Sequence, residues 1–186
     1  PLGPEDLGDA SFRADHGLRY AYVAGAMANG IASTQLVDAM GRAGMVGFFG
    51  AAGLSLERVE AAIDVLSRDL SGMPYGFNLI HSPNEPGHEA ATADLYLRRG
   101  IRLVEASAYL RLTLPLVRYR VKGIRRDSDG RVITPNRIIA KVSRVEVATQ
   151  LFSPPPAEML AELVRTGELT AEQAELAATI PVAQGK

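Results

Sequence analysis

The sequence contains no cysteine, which excludes a disulfide framework, a thiolate metal site and a cysteine nucleophile. It also lacks an excess of either charge. Across 186 residues, 20 Lys and Arg stand against 21 Asp and Glu, a formal net charge of −1. A nucleic-acid binder that neutralises phosphates needs a basic surplus, and none exists here. No apolar run approaches the ~20 residues of a membrane span, and no charged-then-apolar signal segment opens the chain. The expected compartment is therefore the cytoplasm. The first residue is Pro1 rather than Met, which points to processing or to a partial polypeptide. GxGxxG, GxxxxGK followed by Ser or Thr, and GxSxG are all missing, so no Rossmann fingerprint, Walker loop or serine nucleophile elbow is supported. The three histidines, His16, His81 and His88, do not have zinc-ligand spacing.

What remains is the composition of an ordinary globular domain, 47% hydrophobic and 22% charged. A chain of this length buries about 70% of its unfolded surface without a staple. Short apolar runs alternate with amphipathic stretches. Strands are expected at 20–24, 45–49, 75–80, 101–106 and 138–142. Helices are expected at 34–42 after Ser33, from Ser55 to about Leu70, at 89–99 before Gly100, at 114–119 and from Val145. Val59, Ala62, Ile63, Leu66 and Leu70 form one buried stripe. Residues 120–126 and 131–134 read as β-rich pieces around the turn at Asp127–Gly130. From Ser153 the texture changes to a helical hairpin, with Pro156 opening one helix, Gly167 ending it and Thr170/Gln173 boxing the next. Strand–helix alternation with doubly apolar strands indicates a parallel sheet under helices. Both an open doubly wound sheet and a (β/α)₈ barrel fit.

Several residues are candidates for chemistry. Glycines gather after the first two strands: Gly25 and Gly30, then Gly47, Gly50 and Gly53. They allow either close approach of a ring or phosphate, or merely tight βα turns. Asn78, Glu105, Ser107 and Lys141 place polar groups at strand ends, where parallel folds bind ligands, and His81 lies just beyond the third strand. A lysine inside the run Ile138-Ile-Ala-Lys-Val-Ser143 needs an anionic partner, either a ligand or Glu105. The basic run 118–126 reads as a solvated face, with a pantetheine phosphate or an acidic carrier helix as an alternative partner.

The blocks 21–33 (AYVAGAMANGIAS), 40–55 (MGRAGMVGFFGAAGLS), 75–86 (YGFNLIHSPNEP), 102–107 (RLVEAS) and 136–148 (NRIIAKVSRVEVA) strongly resemble the PfaD family. The likeness extends to 170–176 (TAEQAEL), nearly the whole chain. These are trans-acting flavin enoyl reductases of polyketide and polyunsaturated fatty acid synthases, related to nitronate monooxygenase. The resemblance implies an α/β fold of the (β/α)₈ TIM-barrel type with FMN at its mouth. It implies Gly25, Ala26 and Met27 along one edge of the flavin ring. Asn78, Glu105, Ser107 and Lys141 become its polar contacts, and His81 becomes a catalytic residue on the substrate side.

The family continues beyond the helical hairpin into a glycine-rich segment with a histidine, which the resemblance makes the main catalytic, proton-donating or substrate-orienting residue, and then into the phosphate-binding strands. A complete barrel takes ~250 residues, so the chain is expected to be an N-terminal portion. That portion holds an incomplete barrel of about five parallel strands, residues 1–150, and the helical hairpin of an inserted region, residues 151–186. Alone, such a piece would expose an apolar sheet edge. By the same resemblance the reaction is NAD(P)H-dependent reduction of a 2-enoyl thioester on acyl carrier protein. The partners are that carrier, the remainder of the barrel and a second copy in a homodimer, with no nucleic acid or membrane. Alternative readings are a nitronate-oxidising flavoenzyme, or a noncatalytic module gripping a carrier protein with its helical and basic hairpins.

Overall fold

The computed structural model describes residues 2–183. Pro1 and the residues from Gln184 onward, hence the outer limits of the two expected segments, lie outside the described residues. The chain forms two compact units that meet between Leu79 and Ile80. Among the described residues, no helix is long and apolar enough to cross a membrane.

The first unit opens with a short 3₁₀ turn, Pro4–Asp6, and helix α1, Ala10–His16, which buries no residue. Strand β1 is only Val23–Ala24, followed by α2 (Thr34–Arg42), β2 (Val46–Phe49), α3 (Leu56–Asp69) and β3 (Gly76–Ile80). Strands β1 and β2 pair in parallel with Val23 beside Val46, and β2 pairs with β3 through Phe48 beside Gly76. The helix starts follow the expected caps. The Ser33 side chain accepts from Leu36 N–H at 3.3 Å, and Ser55 accepts from Arg58 N–H at 3.5 Å. The stripe on α3 and its C-terminal neighbour Leu70 is buried throughout. At about 1.5–3 kcal/mol per large apolar side chain, this burial rather than propensity holds the helix. All four residues of β2 are buried, as two-sided coverage of a parallel strand requires.

The second unit contains α4 (Pro86–Arg99), β4 (Leu103–Ser107), α5 (Leu114–Val121), β5 (Arg125–Arg126), β6 (Val132–Ile133), β7 (Arg137–Ala140), α6 (Val145–Leu151), α7 (Ala157–Arg165) and α8 (Ala171–Ala177). Strands β4 and β7 pair in parallel from Leu103 beside Arg137 to Ala106 beside Ala140. The ladder continues one step further, where Lys141 N–H donates to Ala106 O at 2.9 Å. Helix α4 starts three residues before its expected position, with Pro86 in its first turn, a placement its fixed φ favours. Across the two units, β1, β2, β3, β4 and β7 are the parallel strands, the number expected.

The stretch 120–126 departs from its β-rich expectation. Helix α5 runs through Val121, with Leu116, Val117, Tyr119, Arg120 and Val121 buried, so burial outweighs the β preference of its valines. Only Arg125–Arg126 pairs with Val132–Ile133, around a turn in which Asp127 Oδ1 accepts from the N–H groups of Asp129 and Arg131, each at 2.9 Å.

The basic run is a solvated face only in part: Arg125 and Arg126 are exposed, but Arg118 and Arg120 turn inward. Arg120 is 2% exposed and donates to Pro181 O at 3.1 Å and to Asn136 O at 2.5 Å. Burial, followed by the charge of Arg137, lowers its pKa to about 10. Fully buried Asn136 donates to Tyr119 O and Lys122 O. A buried guanidinium is tolerable only when its donors are satisfied, and here they tie α5 to the segment after α8. That segment closes back on α6, with Val182 N–H on Ser153 O and Ala183 N–H on Leu151 O.

Glu168, in the turn between α7 and α8, accepts from Lys122 Nζ at 2.6 Å and from Arg118 at 3.1 Å; Arg118 also pairs with Asp94. The Lys122 hydrogen bond, with help from Arg118, holds Glu168 below its ordinary value of 4.5. A carboxylate depressed in this way stabilises the fold above about pH 4.5, and the contribution disappears as pH falls through the folded value. Glu168→Gln should therefore cost up to about 1 kcal/mol at pH 7 and flatten the acid loss of thermal stability. Parallel Tm-against-pH curves for the two proteins would show that this bridge does not couple to folding.

Candidate functional site

In parallel α/β proteins, ligands collect at the carboxyl ends of the strands. Each unit contributes such ends. In the first, the loop after β1 is fastened to the end of β2 by main-chain bonds. Asn29 N–H reaches Ala52 O at 2.7 Å, Gly30 N–H reaches Gly50 O at 2.9 Å, and Gly50 N–H reaches Ala32 O at 3.0 Å. A Cβ on Gly50 would stand 1.7 Å from Met27 O, and one on Gly53, which has φ +78°, would stand 2.2 Å from Asn29 Oδ1. Gly47 lets the backbone of α2 at Val37 approach to 3.0 Å of its would-be Cβ. These three glycines thus make room for the chain itself, the tight-turn alternative.

The fastening leaves Gly25 and Ala26 half-buried and Met27 44% exposed, so main chain and a soft thioether face outward at the end of β1. Asn78 is buried within β3. An apolar cavity of ≈550 Å³ in this unit, lined by Leu7, Tyr20, Tyr22 and Met45 among others, sits at the opposite, amino ends of β1 and β2. Position at that face usually serves stability rather than chemistry.

In the second unit, Glu105 lies inside β4 with its side chain 4% exposed, and Lys141 Nζ stands 3.2 Å from Glu105 Oε2. Because β7 ends at Ala140, Lys141 is not buried inside a strand as expected. Its side chain is 53% exposed, and it reaches back to the carboxylate from just beyond the ladder. The ion pair with Glu105 is therefore the partner that the lysine required. Ser107 closes β4, half-buried, and its carbonyl accepts from His81 N–H at 3.1 Å. A cavity of ≈120 Å³ lies beside Tyr109, Lys141, Ser143 and Arg144.

Sequence reasoning missed the group around His81. Its Nδ1 lies 2.9 Å from Oε2 of Glu89, a carboxylate 3% exposed. Glu89 Oε1 accepts from Tyr109 OH at 3.0 Å and from Thr113 Oγ1. Glu89 sits eight residues from His81 and reads in sequence as one more polar residue near a helix start. Only the fold turns it inward. Among the described residues, no cluster of three or more His, Asp or Glu could hold a metal ion.

Within the second unit, the half-exposed Lys141 ammonium beside the buried Glu105 carboxylate is a donor type that fits a flat cofactor ring with carbonyl and nitrogen acceptors, such as that of FMN.

No protein-family profile matches the chain. It is 48% identical over 180 residues to the polyketide biosynthesis protein PksE of Bacillus subtilis, covering 96% of this chain and 24% of that protein. It is 47% identical over 178 residues to a polyunsaturated fatty acid synthase polypeptide of Thraustochytrium sp., covering 96% of this chain and 12% of that protein. The crystal structure of the enoyl reductase domain of MlnA, from the macrolactin biosynthesis cluster of Bacillus amyloliquefaciens, matches with a TM-score of 0.93 and 45% identity, covering 96% of this chain and 41% of that chain. The fold is accordingly the TIM-barrel-like α/β type of that domain. The chain is similar to part of each of these proteins and spans about a quarter of the length of PksE.

Replacing Gly50 with Ala in the full-length protein should cost about 2 kcal/mol or more, because the Met27 carbonyl fills the space for the new methyl. Near wild-type stability in urea unfolding would show that the loop after β1 does not rest on β2 in this way.

Proposed function

We propose that the protein containing this segment is an FMN-dependent, trans-acting enoyl reductase that reduces 2-enoyl thioesters on acyl carrier protein with NAD(P)H, in polyketide or polyunsaturated fatty acid synthesis. The observation that carries the reading is the TM-score of 0.93 and 45% identity to an enoyl reductase domain over 96% of the chain. Residues 1–150 would supply the first part of the barrel, residues 151–186 would begin an inserted helical region, and the remaining polypeptide would complete the site.

In this reading Gly25, Ala26 and Met27 hold one edge of the cofactor, and Asn78, Glu105, Ser107 and Lys141 hold its polar groups. When bound, FMN supplies two-electron chemistry between the nicotinamide and the carbon–carbon double bond. Lys141 provides positive charge, which favours an electron-rich ring. Glu105 fixes the ammonium, and its own burial keeps the pair from wandering. His81 stands on the substrate side. For the carrier-protein module alternative, Arg118, Arg120 and Lys122 are engaged by Asp94, Glu168 and main-chain carbonyls of their own unit, while Arg125 and Arg126 of the basic hairpin are exposed.

Full-length protein should consume NAD(P)H with crotonyl thioesters in preference to alkyl nitronates. The reverse preference would assign the nitronate-oxidising chemistry instead. Lys141→Met should lower flavin content or enoyl turnover by about tenfold, roughly 1.4 kcal/mol. Unchanged flavin content together with unchanged turnover would remove Lys141 from the site.

A further inference from the structure

Beyond the ends of β4 and β7, two loops of the second unit enclose the cavity of ≈120 Å³, of which the proposed chemistry uses only Lys141. Residues 108–110 line one part, residues 141–144 another, and Val147 of α6 completes the wall. The volume falls below the ~300–1,000 Å³ of a whole small-molecule pocket, so there is room for one group of a larger ligand. Tyr109 offers its ring alone, because its hydroxyl is committed to Glu89 at 3.0 Å.

Charge in these loops is one-sided. Within 108–112 and 141–147 there are three cations, Arg111, Lys141 and Arg144, and one carboxylate, Glu146. Lys141 is answered by Glu105 from inside β4. Arg111 is exposed and, among the described residues, has neither a hydrogen bond nor an ion pair. Arg144, in the cavity wall, reaches Glu146 Oε1 through Nε at 2.9 Å and through its terminal nitrogen at 2.5 Å. The two side chains are 60% and 61% exposed. A pair so exposed contributes little, and it occupies only two of the five guanidinium N–H groups, so a better anion can share or displace it. Ser143, also in the wall, adds a hydroxyl. An arginine beside a hydroxyl at a cavity rim is a donor set for phosphate oxygens.

On the enoyl-reductase reading above, we infer that Arg144 and Ser143, with Arg111 adjoining, form a phosphate subsite that takes the phosphodiester of the substrate's pantetheine arm. Glu146 is the internal anion that holds Arg144 until the phosphate replaces it. The apolar neighbours favour this source over the phosphates of the nicotinamide dinucleotide. Leu110 and Val145, 65% and 81% exposed, flank the two arginines in the chain, and pantetheine carries a gem-dimethyl carbon close to its phosphate. Ribose hydroxyls adjoin the phosphates of a dinucleotide, and an exposed leucine or valine offers them no partner.

The test uses the full-length flavin-loaded enzyme and two thioesters that differ only in the phosphate, crotonyl 4′-phosphopantetheine and crotonyl pantetheine. Wild-type kcat/KM should be about tenfold higher with the phosphorylated thioester, and this advantage should shrink as KCl is raised. The ratio should fall about tenfold in Arg144→Gln and about threefold in Arg111→Gln. Glu146→Gln, which removes the competing anion, should raise it. A wild-type ratio near one, or equal losses with both thioesters in Arg144→Gln, would overturn the subsite. A loss confined to the KM for NAD(P)H would overturn the pantetheine source and give the phosphate site to the dinucleotide. Wild-type protein that reduces neither thioester would overturn the parent reading and the subsite with it, a result distinct from equal use of both.

Discussion

A parallel strand covered on both faces has no solvent to offer its side chains, and most of the site follows from that constraint. Within β2 and the first four residues of β4 every position is buried, so any polar group there must bring its own partner. Glu105 meets this demand with Lys141, which can reach it only because β4 and β7 pair in parallel register as far as Ala106 and Ala140. The same geometry carries polar chemistry to the carboxyl ends of the strands, where backbone pairing gives out and loops begin. His81 and Ser107 mark that border together, joined by a main-chain hydrogen bond.

Much of this arrangement is written locally. Ser33, Ser55 and Thr170 announce their helices because a short oxygen side chain satisfies an N–H that the helix cannot, and the apolar spacing of α3 identifies its buried face. Strand limits are less legible: β1 shrinks to Val23–Ala24 and β7 stops before Lys141, since pairing partners rather than composition decide where a ladder ends. The long-range contacts are not legible at all. Nothing adjacent to Glu89 indicates that it faces His81, Tyr109 and Thr113. Nothing in Arg118-Tyr-Arg-Val-Lys122 indicates that its central arginine is buried under the segment following α8.

Arg120 also shows why a run of basic residues is a poor guide to a binding face. Its guanidinium satisfies carbonyls of Asn136 and Pro181, while Arg118 and Lys122 meet Glu168. Positive charge that the sequence alone assigns to a solvated face is in part consumed in holding the helical hairpin to α5. The glycines after β2 carry the parallel lesson. Their missing side chains accommodate the loop after β1, and that loop in turn presents Gly25, Ala26 and Met27. The resemblance between sequences supplies the chemical identity, and packing supplies the reason those residues hold still.

The central claim, that these strand ends form part of a flavin enoyl reductase site, is tested most directly by the absorption spectrum of the purified full-length protein under anaerobic conditions. The account predicts flavin bands that bleach on addition of NAD(P)H and return on addition of a crotonyl thioester. A colourless protein, or bleached bands that the enoyl thioester does not restore, would contradict it.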